Sequence, residues 1–512
     1  MSNWSEGYVT DITYTHGYYH EMSPRHALVP LLQAGIAMPE VKNACELGFG
    51  QGVSINIHAA GSDAQWYGTD FNPAQVSFAR EWAAESGSGA KLSDQAFAEF
   101  CQRDDLPEFG YIGLHGIWSW ISDENRHIIV DFIRRKLAVG GVLYISYNTL
   151  PGWAATSPIQ HLLSVWDKNM AASTDDYRKR VTQAVAFGSE IFAQSNLQQK
   201  SSELSEFIED LKKKDYRYLA HEYFNQEWRP MYFTEVADHL ESAKLNYVCS
   251  SSYLEDFTNT NFSNEQEEIF NKLPNYRMQQ TAKDYMLGRR FRRDLWVKGG
   301  VQLSGKRLNE ARGRLQFMLI TDRDKLSGVL TYYRQTQLIN EHLDAILDVI
   351  GDKKPHRLSD IYAAIKDKNI MNEPQLFMIM ALLFAKKDVV LVQEQETIAA
   401  AKKKCDALNQ HIMTLAENSQ QIAHLASPVT GEAVVCSQLD MLFTAAVNKG
   451  ISKSKQMAQH VWDIFKLQGS TLNKDGQPLQ GDEANLAELE RLAGEFNENK
   501  LALLRQLGIA KK

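Results

Sequence analysis

Paired cysteines are missing from this chain. Its five cysteines, at positions 45, 101, 249, 405 and 436, are scattered over 512 residues with no CxxC and no cysteine–histidine spacing. That pattern argues against a disulfide framework and against a metal site, and predicts the reduced thiols of a cytoplasmic protein. Long apolar runs are missing as well. None reaches the ~18 residues of a membrane span, and Met1 to Thr10 is polar and aromatic rather than basic and apolar. Neither secretion nor membrane insertion is expected. An excess of positive charge is the third absence. The net charge is −8, and all of it falls on residues 1–153, where 9 Lys and Arg face 17 Asp and Glu. A nucleic-acid enzyme needs a basic face against phosphate, so nucleic acid is not the expected partner. An acidic surface suits a cationic ligand, or serves solubility alone. No internal repeat or low-complexity tract stands out.

What is present is ordinary globular packing, with 44% hydrophobic and 10% aromatic residues. The length exceeds one core, so two to four domains are expected. The most informative stretch is Glu46-Leu47-Gly48-Phe49-Gly50-Gln51-Gly52, directly behind Val41–Cys45. Trp66-Tyr67-Gly68-Thr69-Asp70-Phe71-Asn72-Pro73 follows one helix-length later. This pattern predicts a strand, a glycine turn, a helix and a second strand ending in a carboxylate. Such a unit binds a nucleoside: glycines let backbone approach the ligand, and the carboxylate accepts from both ribose hydroxyls. A dinucleotide fingerprint places its third glycine three residues after the second, where a helix N-terminus meets pyrophosphate. Here the glycines alternate at 48, 50 and 52, and Glu46 would repel an anion and welcome a cationic amino-acid group.

Periodicity predicts strands at Val41–Leu47, Gln65–Thr69, Phe109–Leu114 and Gly141–Tyr147, with helices at Gly52–Ala60, Pro73–Ser86, Gln95–Cys101 and Asp123–Leu137. The alternation implies a parallel sheet with its ligand at the strand C-terminal ends, where Gly48, Asp70, His115 and Tyr147 fall. Thr156 to Leu219 reads as helical and charged. Strand signals return at Leu245–Tyr253 and Asp294–Leu303. A new region begins near 305, in which Leu358–Ile365, Glu373–Ala385 and Val389–Gln393 read helix, helix, strand, a winged-helix-like order. Residues 435–510 read as helical with a break at Gly469–Gly481. The resulting division is 1–155, 156–235, 236–304, 305–430 and 431–512.

The acid-x-Gly-x-Gly-x-Gly spacing from Glu46 resembles motif I of class I S-adenosylmethionine-dependent methyltransferases, and Asp70 resembles the acid ending their second strand. A wider set extends the likeness: Tyr14-Thr15-His16-Gly17-Tyr18-Tyr19, Ser54–Ala60, Gly68–Pro73, Leu114-His115-Gly116-Ile117-Trp118-Ser119-Trp120-Ile121 and Ser146-Tyr147-Asn148-Thr149-Leu150-Pro151-Gly152-Trp153. Together these resemble bacterial class I methyltransferases with a methyltransferase regulatory domain, a family that includes rickettsial protein-lysine methyltransferases acting on outer-membrane proteins. The likeness is strong over 8–165 and moderate over 220–300, where His221-Glu222-Tyr223 and Phe291-Arg292-Arg293-Asp294 carry it. It is thin beyond 305. Phe49 departs from the small residue of many members, and Gly110 from an acid that commonly precedes strand four.

The resemblance implies an α/β fold: a class I, Rossmann-like sheet, completed by the two late strands, with 156–235 as a helical insertion and a mostly helical C-terminal region. It implies S-adenosyl-L-methionine as cofactor, without a metal. Glu46, Gly48, Phe49, Gly50, Gly52, Asp70, Phe71, Asp94, Gln95 and His115 are the expected cofactor residues. Tyr147, Asn148, His115 and Trp118 are the expected catalytic residues, with Tyr18, Tyr19 and Trp118 toward the substrate. Plainer readings stand beside these. Asp94 also reads as a helix cap, Trp118 and Trp120 as core aromatics, and Tyr147-Asn148 as a strand-end turn. Tyr14, His16, Tyr18 and Tyr19 form either a lid or a packing arm. Arg289 to Arg293 reads as a solvated face or as a grip on an acidic group. Protein lysine is the first acceptor, which must lose a proton from a pKa of ~10.4 before it attacks. A small molecule or surface-glycan precursor is the second reading, and a non-catalytic cofactor-binding scaffold the third. Monomer and homodimer are both open.

Overall fold

The computed structural model describes residues 16–172, 175–196, 202–225 and 227–511; Tyr14 lies outside them. Seven strands form one sheet: β1 (Asn43–Leu47), β2 (Gln65–Thr69), β3 (Lys91–Ser93), β4 (Phe109–Leu114), β5 (Leu137–Asn148), β6 (Leu245–Ser250) and β7 (Phe291–Lys298). Their order is β3-β2-β1-β4-β5-β7-β6. The first five run parallel. β7 is antiparallel to both neighbours, from Asn148↔Phe291 to Val142↔Val297 along β5. β1, β4 and β5 are buried nearly throughout, as parallel strands covered on both faces must be. The chain reverses direction across the sheet between β1 and β4, and in an open α/β sheet that switch point leaves a crevice above the strand C-terminal ends.

Helix α1 (Pro24–Gln33) follows the N-terminal segment that reaches this crevice, and helices α2 (Val53–Gly61) and α3 (Pro73–Ser86) flank it. The Ser23 hydroxyl accepts from the Arg25 and His26 amides and starts α1, and the Asn72 side chain accepts from the Ala74 amide and starts α3. All nine residues of α2 are buried. A helix buried all round needs cover on both faces. The sheet supplies one cover and the helix Gln395–Leu415 the other.

The helical insertion comprises Ser157–Met170, Tyr177–Ala193, Ser202–Leu211 and Tyr216–Tyr223, and closes a small core of its own around Leu163, Trp166, Val181, Phe192 and Leu219. Beyond it, β8 (Gln316–Leu319) pairs antiparallel with His356–Arg357 and Val389–Val392. The helices Asn340–Ile350, Leu358–Ile365 and Glu373–Ala385 share a core with this small sheet. The last region is helical, and Asn473–Lys474 with Gln477–Pro478 forms a hairpin at the expected break.

The chain after 305 does not stand apart from the first half. Val53, Ile57 and Ala60 of α2 and Trp82 of α3 lie in one core with Ala401, Cys405, Leu408 and Ile412. The Lys404 ammonium donates to the carbonyls of Ala59 and Ser62 at 3.2 and 2.6 Å, where α2 ends. The Gln393 amide donates to Gly61 O at 2.7 Å. This cation and this amide donor meet the unpaired carbonyls of a helix C-terminus. Among the described residues, no helix is long and apolar enough to cross a membrane.

Candidate active site

The ends of β1, β2, β4 and β5 open into a cavity of about 800 Å³. The glycine loop lines one wall. Gly48, Gly50 and Gly52 have φ of +70°, +57° and +71°, backbone that favours glycine. A Cβ on Gly48 would meet Ile117 Cδ1 at 2.4 Å, whereas one on Gly50 would enter open space. Asp70 holds this loop. Its Oδ2 accepts from Gly50 N and its Oδ1 from Asn72 N, both at 2.9 Å. Burial pushes the Asp70 carboxyl up to about 6, although these two amides pull it down.

Glu46 stands beside it. It is buried, and its Oε2 has no hydrogen-bond partner. Burial, reinforced by the Asp70 charge, holds the Glu46 carboxyl well above the usual range. Among the described residues neither carboxylate is ion-paired. Two desolvated acids with no counter-charge form a site that a cation would stabilise. Phe49, Phe71 and Gln95 line the same cavity. Asp94 does not. Its carboxylate is half exposed and pairs with Arg80 at 3.2 Å, while Ala96 occupies the cap position of the short helix Phe97–Phe100. The neighbouring Gln95 faces inward in its place.

Gly17, Tyr19 and Met22 bring the N-terminal segment over the cavity. The Tyr19 amide donates to Ser54 Oγ at 3.1 Å, and its ring stacks on His115 at 3.8 Å between centroids. His115 Nδ1 hydrogen-bonds the Tyr144 hydroxyl at 2.7 Å. Burial lowers the imidazole to about 3, so it stays neutral and is a poor proton acceptor near pH 7. Tyr18 points the other way. Its hydroxyl meets His58 Nε2 at 3.2 Å and its ring packs near His424, in the joint between α2 and the C-terminal region. His16 packs edge-on to Phe78.

Two expected catalytic side chains sit in the core. Tyr147 is fully buried and donates to Asp294 Oδ2 at 2.9 Å. Side chains alternate along a strand, so of Tyr147 and Asn148 only Asn148 lines the cavity, with its Nδ2 buried and unpartnered. Trp118 is likewise fully buried, edge-on to His239. Trp118–Trp120 is a single 3-10 turn that splays the two indoles, and Trp120 reaches the cavity instead.

The opposite wall was not anticipated. Trp153 just after β5, Tyr218, His221, Glu222 and Glu227 of the insertion, and Arg290, Phe291 and Arg293 at the start of β7 complete the lining. Their signals were the His221-Glu222-Tyr223 phrase, which carried no assigned role, and the run from Arg289 to Arg293, read as a solvated face or as a grip on an acidic group. The arginine run divides. Arg292 is fully buried, bonded to Asp294 at 3.1 and 2.9 Å and to Asp284 at 2.6 Å. Arg289 pairs with Glu255 and Asp284. Arg290 and Arg293 reach the cavity but have their own carboxylates, Glu203 at 2.8 Å and Glu21 at 3.4 Å. No group of three or more His, Cys, Asp or Glu that could hold a metal ion is found among the described residues.

Comparison with known proteins agrees with this architecture. Residues 215–298 match the family model described as a predicted methyltransferase regulatory domain, the stretch that supplies the insertion-side wall and the last two strands. An uncharacterized protein of Synechocystis sp. is 33% identical over 516 residues, 99% of this chain and 100% of its own length. An uncharacterized protein of Rickettsia prowazekii is 27% identical over 249 residues, 46% of this chain and 43% of that protein. Among solved structures, PKMT2 from Rickettsia typhi in complex with AdoHcy superposes with a TM-score of 0.66 at 16% identity, over 95% of this chain and 99% of that one. The sheet order, with its antiparallel seventh strand, is that of the class I methyltransferase fold. The chain belongs to the bacterial class I methyltransferases that carry a methyltransferase regulatory domain.

Proposed function

We propose that this protein transfers a methyl group from S-adenosylmethionine to an amine, in the first instance the side chain of a protein lysine. The observation that carries the reading is the distribution of charge around one cavity: desolvated carboxylates on the glycine-loop wall, and aromatic rings with further carboxylates on the wall from the insertion and β7. The residues present fit the cofactor. Glu46 would meet its amino-acid ammonium, Asp70 its ribose hydroxyls, and the Gly48–Gly52 loop would admit it at backbone distance. When bound, that group supplies an electrophilic methyl on a sulfonium. The chain's own task is then to hold an acceptor nitrogen in line and free of its proton, which is chiefly a matter of proximity. Trp120, Trp153, Phe291 and Tyr218 offer faces for a cation, and also exclude water that would favour the charged amine. The resemblance to rickettsial protein-lysine methyltransferases makes a protein the first acceptor to test. Calorimetry on the full chain should show binding of S-adenosylhomocysteine and none of NAD; the reverse preference would end this reading.

A further inference from the structure

The cavity holds more acid than base. Glu46, Asp70, Glu124, Glu222 and Glu227 face it, against Arg290 and Arg293, and both guanidiniums are already paired with carboxylates outside the lining. Among the acids outside the glycine-loop wall Glu222 differs from the other two. Glu124 and Glu227 are exposed and solvated, whereas Glu222 is only partly exposed. It sits on the helix Tyr216–Tyr223 and has no hydrogen bond or ion pair to another described side chain. We propose that Glu222 accepts the proton of the substrate ammonium, making it a catalytic base. The proposal rests on the amine reading given above.

The step is a single proton transfer. One N–H bond of the ammonium breaks, an O–H bond forms on Glu222, and the electron pair stays on nitrogen as the nucleophile. In bulk water the transfer is uphill, since a lysine ammonium titrates near ~10.4 and a free glutamate near ~4.3. A desolvated cavity favours the neutral pair over the ion pair, which raises the acid and lowers the ammonium. Burial pushes Glu222 up to about 7. Neither neighbouring tyrosine competes. Tyr218 is pushed up to about 12, and Tyr223 higher still, by burial and by the Glu222 charge among others. His115 is held neutral at about 3. Arg290, which faces Tyr223 from the start of β7, is engaged with Glu203 and lies over the Trp153 ring at 5.4 Å. Once the product leaves, the Glu222 proton can pass to solvent on the side of exposed Glu227.

The test uses the full chain, Glu222→Gln and Glu222→Asp. Infrared spectra of wild type minus Glu222→Gln, titrated from pH 4 to 9, should show one carboxyl band disappearing near pH 7. Transfer of tritiated methyl from S-adenosylmethionine into a fractionated bacterial lysate is then followed from pH 6 to 10, with the labelled residue identified by hydrolysis. Glu222→Gln should lose about 100-fold in rate near pH 7.5, within the range for general-base catalysis. Its ascending limb should move from near 7 toward the amine range, while S-adenosylhomocysteine affinity stays within twofold. Glu222→Asp should keep the wild-type limb at reduced rate, and it serves both measurements should the Gln variant not fold. A band titrating below pH 5, or lysine labelling by Glu222→Gln at the wild-type rate and pH profile, overturns the role of Glu222 and leaves the amine reading standing. Label on an oxygen overturns the amine reading, and the base with it.

Discussion

Replacing Asp70 by alanine separates binding from folding. In the folded protein this carboxyl titrates at about 6, against 3.8 for an exposed aspartate. Between those values the folded state holds a proton that the unfolded chain has lost. Stability therefore falls as pH rises through 3.8 to 6, by about 3 kcal/mol in all at ~1.36 kcal/mol per pKa unit. Alanine removes that penalty. It also leaves the Gly50 and Asn72 amides without their acceptor, at about 1–3 kcal/mol each if water does not replace it. The two effects oppose each other, so the ligand-free variant should melt within a few degrees of wild type at pH 7.5. Ligand affinity has no such offset. Hydrogen bonds to a charged acceptor contribute about 1.5–3 kcal/mol, so S-adenosylhomocysteine should bind about 10- to 150-fold more weakly by calorimetry. The gap in melting temperature between variant and wild type should also shift in the variant's favour as pH rises from 4 to 7. Undiminished affinity would refute the ribose contact. A pH-independent gap would refute the electrostatic argument.

The core positions make a different prediction. Trp118→Ala should cost about 3–5 kcal/mol of stability, as for other buried aromatics, and Tyr147→Phe about 1 kcal/mol for the lost bond to Asp294; folded fractions of both should bind S-adenosylhomocysteine normally, and a selective loss of binding would contradict their placement. A chain ending after Leu303 should aggregate, because it uncovers Val53, Ile57, Ala60 and Trp82; a soluble, cofactor-binding fragment of that length would show that the C-terminal region is dispensable.

These contrasts mark where sequence reasoning succeeds. That Glu46, the three glycines and Asp70 meet at one cavity was legible because their placement depends on spacing within one strand–turn–helix–strand unit. The late strands were legible as apolar segments: β6 starts at the predicted Leu245, whereas β7 (Phe291–Lys298) starts three residues before the predicted Asp294 and ends five before Leu303. What was not legible depends on a shift of one or two residues. Tyr147 against Asn148, Trp118 against Trp120 and Asp94 against Gln95 each share a segment, and only the register decides which member turns inward. Glu222 and Tyr218 were out of reach for another reason: they lie some seventy residues beyond β5, and only the path of the insertion returns them to the strand ends. The bracing of α2 did leave a trace. Val53 to Gly61 carries small or apolar residues on every face, which already asks for cover on the side away from the sheet.

In the proposed reaction one cavity holds the methyl donor against an amine of a protein. Mass spectrometry of an acceptor protein methylated by the full chain, with deuterated methyl groups from S-adenosylmethionine, tests it most directly. The account predicts that the label resides on lysine Nζ and that Asp70→Ala sharply reduces it; label confined to carboxylates, hydroxyls or non-protein molecules would contradict it.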